Sequence, residues 1–354
     1  MTRLGIIGCG DIVNLYNGFT STPLKQAHLQ ITALIDVNLE NAKKAAKNFP
    51  NAMFSTALHE DILSTCDAFL IAAPNHLHHY YGKMCLEAGK HVLMEKPLAV
   101  TQAECDELIA ISREKDLILM VALCMRFHPL MQQFKNLIDE QRCGELFQLS
   151  IWTEQHSEFP ENHWHTQQQT LGGGQLFSHG CHYIDLLMWI MGHPVEGFFM
   201  GTNKGTPWME KEGTTHVCLK FADSALGYYF GTWGARGTRN DYLMQAHGSK
   251  GMIEADFNQS TITLYSKGSA KDTKQFYTGY TKETELFNNP IAISDMYQNE
   301  MLHFMECIKN NETPLTNATT ALESMKIIWQ LYKHGHLGIT QQPLERTSHY
   351  SFTP

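Results

Sequence analysis

Residues Gly172–Gly192, GGGQLFSHGCHYIDLLMWIMG, place Ser178, His179, His182 and Asp185 just ahead of the apolar Leu186, Leu187, Trp189 and Ile190. Imidazole, hydroxyl and carboxylate groups are costly to bury unless they are paired or used. At helical spacing Ser178, His182 and Asp185 are i, i+4 and i+7 and share a face, with His179 three residues before His182. A histidine with a carboxylate in reach suits proton transfer. The competing reading is that His182 and Asp185 bond each other as a satisfied core pair. The preceding glycines, Gly172–Gly174, would let the chain approach a cleft closely.

A second constellation binds anions. Gly8-Cys9-Gly10-Asp11-Ile12-Val13 follows a short apolar run, RLGIIG, and precedes a helix. Two glycines permit a tight turn and close approach to a pyrophosphate, which then rests on the helix N-terminus. Asp36 ends the next apolar run, ITALID, where a carboxylate can hold both adenosine ribose hydroxyls. The same carboxylate repels a 2′-phosphate, and Val37 and Asn38 offer no arginine to receive one, which favours NAD over NADP. In AAPNHLHH, Ala73 is small enough for a cofactor to cross the backbone, and Asn75 could touch ribose or the nicotinamide side. His76, His78 and His79 are too close together for a metal site and read as capping or surface groups, with His78 also counted toward the cofactor.

ENHWHTQQQT, residues 161–170, reads as a loop in which His163, Trp164 and His165 could stack on and hydrogen-bond a sugar. With His179 and His182 they could form an H-x-H plus H-x-x-H metal set. Each position has another explanation, so no metal is assigned. Arg126, in MRFHP, suits a substrate hydroxyl or carboxylate, and Asp185 is counted with it among the substrate residues.

The elements that must hold these groups fall into two textures. Short apolar runs (RLGIIG, ITALID, AFLIAAP, HVLMEKP, LILMVALC) alternate with helical patterns, as strands buried under helices on both faces should. Thr101 and Glu104 form a capping box for one such helix. This is a doubly wound, parallel α/β sheet. Beyond residue 124 come an amphipathic helix, the histidine-bearing stretch, and a series of strands joined by Gly/Ser/Asp turns, then two closing helices. We expect domains at 1–124 and 125–354, the second an α+β unit with an open, mainly antiparallel sheet and helices on one face.

The 354 residues carry 27 Lys+Arg against 36 Asp+Glu, a net charge of −9 with no basic run, which argues against nucleic acid and anionic membrane surfaces. No apolar stretch approaches the ~18 residues of a spanning helix. The start lacks a signal-peptide pattern, and nine scattered cysteines without C-x-x-C read as reduced thiols. A cytoplasmic protein is expected.

MEKP (Met94–Pro97), taken with the G-x-G turn, AAPNHLHH, MRFHP and GGG…G-x-H-x-x-D, resembles the Gfo/Idh/MocA superfamily over nearly the whole chain. The resemblance implies an NAD(P)-dependent oxidoreductase with an N-terminal Rossmann domain. Its second domain would often mediate oligomers, here a homodimer or homotetramer through the C-terminal sheet, although the aromatics of GYYFGTWG could instead pack beneath the domain's own helices. It also implies a cleft where Lys96 and His182 meet the nicotinamide, with Glu95 and Cys124 at the cofactor and a cis bond before Pro97. Lys96 would hydrogen-bond the reacting oxygen, and His182 would take or give the proton, aided by Ser178 and His179. Three positions depart from the family pattern: Ser178 stands where Asp is usual, Cys124 where Asn is usual, and Val13 replaces a small residue.

The expected activity is hydride transfer between a sugar, polyol or sugar-derivative carbinol and nicotinamide. The alternative is a redox-assisted, NAD-dependent glycosidase, which would use extra acid/base groups such as His179. A non-catalytic NAD-binding sensor ranks last, because a regulator has no chemical need for Lys96 and His182.

Overall fold

A computed structural model describes residues 1–10, 21–267, 274–276 and 279–338. The apolar runs of the first third become parallel strands β1 (Thr2–Ile7), β2 (Leu29–Ile35), β3 (Met53–Ser55), β4 (Ala68–Ile71), β5 (His91–Glu95) and β6 (Leu119–Ala122). Their spatial order is β3-β2-β1-β4-β5-β6, the doubly wound arrangement whose ligand crevice lies where the order reverses, between β1 and β4. β4 is buried along its whole length, and so is β6, which is why their sequences show no polar alternation. The capping box forms as read: the Thr101 hydroxyl accepts from Glu104 N at 3.3 Å, and the Glu104 carboxylate accepts from Thr101 N at 2.9 Å.

Among the described residues the second sheet has ten strands: β7 (Leu146–Glu154), β8 (Pro194–Thr202), β9 (Thr214–Phe221), β10 (Leu226–Thr232), β11 (Leu243–Gly248), β12 (Gly251–Asp256), β13 (Thr261–Lys267), β14 (Lys274–Phe276), β15 (Gly279–Asn288) and β16 (His336–Leu337). It is antiparallel except where β7 lies parallel to β10. β7 and the short β3 are absent from the strands expected from sequence; β7 nevertheless sits at the centre, with Leu149, Ile151 and Thr153 pointing inward.

One face of this sheet is covered. Helices Pro129–Asp139, Cys181–Met191 and Ala318–His334 pack on it, against β12 and β13, β10, and β8 respectively. The inward residues Val217, Leu219, Phe221 and Tyr229 are essentially inaccessible. The other face is open: Phe198 and Met200 of β8 and Leu226 of β10 are 45%, 67% and 53% exposed. GYYFGTWG therefore splits, Tyr229 packing beneath the helices while its neighbours Tyr228 and Phe230 face outward by strand alternation.

The last helix ties the two sheets together. Val121 N of β6 donates to Thr316 O at 2.9 Å, and Ala318, Ala321 and Leu322 join the core formed around β4 and β5. The chain thus returns to its first domain after building the second. No helix among the described residues is long and apolar enough to cross a membrane, and all nine cysteines are free.

The N-terminal core leaves little slack: the ring of the fully buried Phe69 on β4 lies 2.3 Å from where a Cβ on Gly5 would stand. Phe69→Ala is expected to cost about 3–5 kcal/mol in urea unfolding, whereas Phe54→Ala, on an exposed edge strand, should change stability by less than about 1 kcal/mol.

Candidate active site

The site begins with the turn after β1. Gly8 has φ +91°, and a Cβ there would meet the Ala72 carbonyl oxygen at 2.4 Å, so β1 and β4 close on each other only because that atom is missing. At Gly10 a Cβ would meet nothing within 4 Å among the described residues. Asp36 accepts from Cys9 N and Asn38 N, both at 2.8 Å, so its carboxylate is fixed beside the turn at the end of β2. These features fit a dinucleotide's pyrophosphate and ribose. Asp11 and Ile12, also expected at the cofactor, and Val13 lie outside the described residues.

Other residues expected at the cofactor have structural partners. Asn75 donates from its amide to Leu171 O at 2.8 Å, and His76 Nδ1 is 3.3 Å from Thr170 O, so this turn docks the first domain onto the helix Gln168–Leu171 of the second. His78 is buried, with Nδ1 2.7 Å from Pro97 O and Nε2 2.8 Å from Ala73 O. Two carbonyl partners would suit the imidazolium, but burial dominates and lowers His78 to about 4, so the neutral ring makes one donated bond at neutral pH. His78 thus sits between the backbone carbonyls of Ala73 and Pro97 and donates to one of them. Glu95 closes β5, buried, and its carboxylate accepts from Lys96 N at 3.3 Å. Cys124 is also buried; its thiol pairs with Tyr297, and burial, with the carboxylates of Glu300 and Glu95, holds it well above its usual range.

Lys96 crosses to the second domain. The Lys96–Pro97 bond is cis, as expected, and Lys96 Nζ donates to the Ser178 carbonyl at 2.8 Å. Ser178 lies in a π-helical turn, Leu176–Gly180, that runs into the helix Cys181–Met191. The continuous α-helical spacing expected for Ser178, His182 and Asp185 is therefore broken, and the backbone rather than the hydroxyl of Ser178 meets the lysine. π-Turns of this kind are frequent at functional sites.

His182 is 7% exposed, and its Nδ1 has no hydrogen-bond partner among the described residues. Burial, then Lys96 and His179, pull it well below the usual histidine range, so it is a neutral imidazole. His179 is pushed down to about 3 by burial and Lys96. Its Nδ1 lies 3.3 Å from the Gln175 amide nitrogen, and its Nε2 lies 3.5 Å from Tyr242 OH. Gln175 Nε2 also donates to Tyr229 OH at 2.8 Å, and Gln155 Nε2 to Tyr242 OH at 2.7 Å. Gln155, Gln175, Tyr229 and Tyr242 were not identified from sequence, because they sit on separate elements and belong to no local motif.

The loop at 161–170 folds over this region as an aromatic wall. His165 stacks on Phe159 at 4.3 Å and 1°, and on His163 at 5.0 Å and 5°; Trp164 contacts His165 at 3.6 Å, and Trp233 closes edge-on to Phe159. Burial lowers His165 to about 3, with His163 and Lys96 contributing, so the His165 ring lies within electrostatic reach of the lysine.

Arg126 and Asp185 require a correction. Neither is available to substrate: Arg126 Nε and Nη2 donate to the two Asp185 carboxylate oxygens, both at 2.7 Å, with the residues 4% and 1% exposed. The guanidinium also lies 5.2 Å over the Trp189 ring. Burial raises the Asp185 carboxyl, and Arg126 opposes that shift. The same bidentate pair removes the His182–Asp185 core pairing, since Asp185 is engaged elsewhere. It anchors the helix Cys181–Met191 to the turn Cys124–Phe127 that follows β6.

The G-x-G crevice of the parallel sheet and Lys96 belong to the first domain, and Lys96 bonds the turn of the second domain that carries the two neutral histidines. Residues 2–123 match the description "Oxidoreductase family, NAD-binding Rossmann fold" and residues 131–254 match "GFO/IDH/MocA C-terminal domain". The trans-1,2-dihydrobenzene-1,2-diol dehydrogenase of Xenopus laevis is 30% identical over 322 residues, spanning 87% of this chain and 89% of that protein. The levoglucosan dehydrogenase of Pseudarthrobacter phenanthrenivorans is 26% identical over 276 residues, 70% of each chain. Among solved structures, a levoglucosan dehydrogenase in complex with NADH superposes with a TM-score of 0.80 at 21% identity, covering 95% of this chain and 98% of that one. The chain belongs to the Gfo/Idh/MocA family of NAD-binding oxidoreductases.

Two outcomes follow from these electrostatics. Arg126→Met should destabilise the fold by about 3–5 kcal/mol by stranding Asp185, and adding Asp185→Leu should recover most of it, measured as a double-mutant cycle in urea. His165 and His179 fall from the ordinary 6.5 to about 3 on folding, so the unfolded chain binds more protons below pH 6.5. Their contribution to stability is intact above that pH and is lost on acidification toward pH 3, at about 1.4 kcal/mol per histidine per pH unit. Comparing His165→Phe with the parent chain at pH 7.5 and 5.5 checks the slope, which should be shallower in the variant.

Proposed function

We propose that this chain is an NAD-dependent dehydrogenase of a CH–OH group in a sugar, polyol or sugar derivative. The observation that carries the reading is the 2.8 Å bond from Lys96 Nζ to the Ser178 carbonyl, which gathers the lysine, His179 and His182 at the crevice mouth. Bound NAD supplies the hydride acceptor. Lys96 has spent one ammonium proton on Ser178 O and keeps two for the carbinol oxygen. A neutral His182 is a base, and its buried Nδ1 has hydrogen-bonding capacity that none of the described residues uses. His179 is a second neutral imidazole, oriented by Gln175 and Tyr242. The Phe159–His165–His163 stack and Trp164 offer flat faces and ring nitrogens to a pyranose, in keeping with relatives named for levoglucosan and D-glucoside oxidation.

The Asp36 carboxylate supports NAD over NADP, since a 2′-phosphate would meet a fixed negative charge beside Cys9 N. Asp36→Ser is expected to weaken NAD binding and narrow its preference over NADP, read as the ratio of the two dissociation constants.

The catalytic assignment is tested by offering NAD with free sugars, polyols and aryl glycosides, following NADH and aglycone together. Stoichiometric NADH from a free sugar, reduced by about 10²-fold or more in Lys96→Ala and His182→Ala, is the expected result. Aglycone release without net NADH would replace it with the redox-assisted glycosidase.

For assembly, the open sheet face with Phe198, Met200 and Leu226 supports a homodimer or homotetramer formed through that face. Light scattering should give a mass above 40.2 kDa, falling to the monomer in Met200→Asp/Phe198→Glu. A monomeric parent chain would contradict this. The free thiols are consistent with a reducing, cytoplasmic setting.

A further inference from the structure

The first N–H groups of a helix need acceptors from outside it, and a Ser, Thr, Asp or Asn at the N-cap normally supplies one. The π-turn that presents Ser178, His179 and His182 has no such residue, because the sequence before it is Gly172-Gly173-Gly174-Gln175. Its acceptors come from two distant side chains and one distant carbonyl. Tyr332 OH accepts from Gly174 N at 3.1 Å and from Phe177 N at 3.2 Å. Glu212 Oε1 accepts from Leu176 N at 3.2 Å, and Glu212 O accepts from Gln175 N at 2.8 Å. Tyr332 OH then donates to Glu212 Oε1 at 2.6 Å, which closes the set. Four consecutive donors, Gly174 to Phe177, are satisfied by one glutamate and one tyrosine.

The glycines belong to this arrangement. A Cβ on Gly174 would lie 2.3 Å from Glu212 Cδ, and one on Gly173 would lie 2.8 Å from Tyr332 Cε2. They make room for the cap behind the turn, where the sequence suggested room for a cleft in front of it. Burial raises the Glu212 carboxyl, while its bonds from Tyr332 and Leu176 N favour the charged form. A carboxylate at this end of a helix also meets the positive end of its dipole.

We propose that Glu212 and Tyr332 are positioning residues of the active site: as a tertiary cap they set the π-turn, and through it the Ser178 carbonyl and the two histidine rings, in register with Lys96. The connection reaches the first domain as well. Tyr332 ends the helix Ala318–His334, whose opening residues Ala318, Ala321 and Leu322 pack into the N-terminal core. One helix therefore fixes the second domain's turn relative to the sheet that carries Lys96. The kinetic arm of the test rests on the dehydrogenase reading, and the spectroscopic arm does not.

The experiment uses the full chain saturated with NADH and labelled with 15N-histidine, in the parent form and in Tyr332→Phe, Glu212→Gln and Glu212→Leu. Signals of His179 and His182 are assigned from His179→Gln and His182→Gln. In Tyr332→Phe and Glu212→Leu those two signals should shift while the remaining histidines hold. With an oxidisable sugar in hand, kcat should fall about 10- to 100-fold, as for a small misplacement of reacting groups, with NADH affinity nearly unchanged. Glu212→Gln, which keeps an acceptor oxygen, should stay close to the parent in both readouts. Unmoved His179 and His182 signals in Tyr332→Phe would overturn the proposal whatever substrate is found. Loss of folding in Tyr332→Phe, or a lower melting temperature with parental kcat, would assign the pair to stability and overturn it equally. Shifted signals with no turnover on any sugar would uphold the positioning role and refute the dehydrogenase reading instead.

Discussion

Everything at the site depends on one charge held against one dipole across a domain boundary. The Lys96 ammonium, carried by β5 of the first sheet, is bonded to the Ser178 carbonyl of the second domain. Both sides are immobilised. On the lysine's side, the buried His78 ring packs between the Ala73 and Pro97 carbonyls and Glu95 accepts from Lys96 N. On the other, the carbonyl belongs to a π-turn whose leading N–H groups are all engaged by Glu212 and Tyr332. Burial keeps His165, His179 and His182 neutral, and the Lys96 charge adds to it at each.

That electrostatic division separates groups that build the site from groups left over for chemistry. Asp185, Arg126, Asn75 and His78 look chemical in the sequence, but each is committed to another protein group. The buried Arg126–Asp185 pair stakes the helix to the turn after β6, a role that tolerates no lone partner. What remains with unspent hydrogen-bonding capacity among the described residues is the lysine and the neutral His182, beside an aromatic wall. This is a small set, and the proposed dehydrogenase reading uses it to remove a proton from a carbinol.

How much of this the sequence disclosed varies with the range of the interaction. The parallel sheet, the G-x-G turn, Asp36 and the Thr101–Glu104 box were legible because each is set by residues within a few positions of one another. β7 is not evident from sequence although it alternates, since LFQLSIWTE comes only six residues after a helix and carries a hydroxyl residue, Thr153, on its inward face and a second buried one, Ser150, on the other. The glycines at 172–174 were read as clearance for a ligand; their use is to admit side chains from 38 and 158 positions further along, measured from Gly174 to Glu212 and Tyr332. The i, i+4, i+7 reading of Ser178, His182 and Asp185 failed because helical periodicity assumes one geometry, and a π-turn inserts another. Nothing local announces Tyr242 or Gln175 as partners of His179. Their roles come from strand register and from a helix entry fixed by tertiary contacts.

The central claim is that nicotinamide and substrate meet where Lys96 reaches Ser178. A crystal structure of the chain with NADH and a sugar it oxidises tests this most directly. The account predicts the sugar's reacting oxygen within about 3–3.5 Å of both Lys96 Nζ and a His182 ring nitrogen, with the nicotinamide on the opposite side of the reacting carbon. A nicotinamide lying elsewhere along the β1–β4 crevice, with Lys96 and His182 touching protein alone, would contradict it.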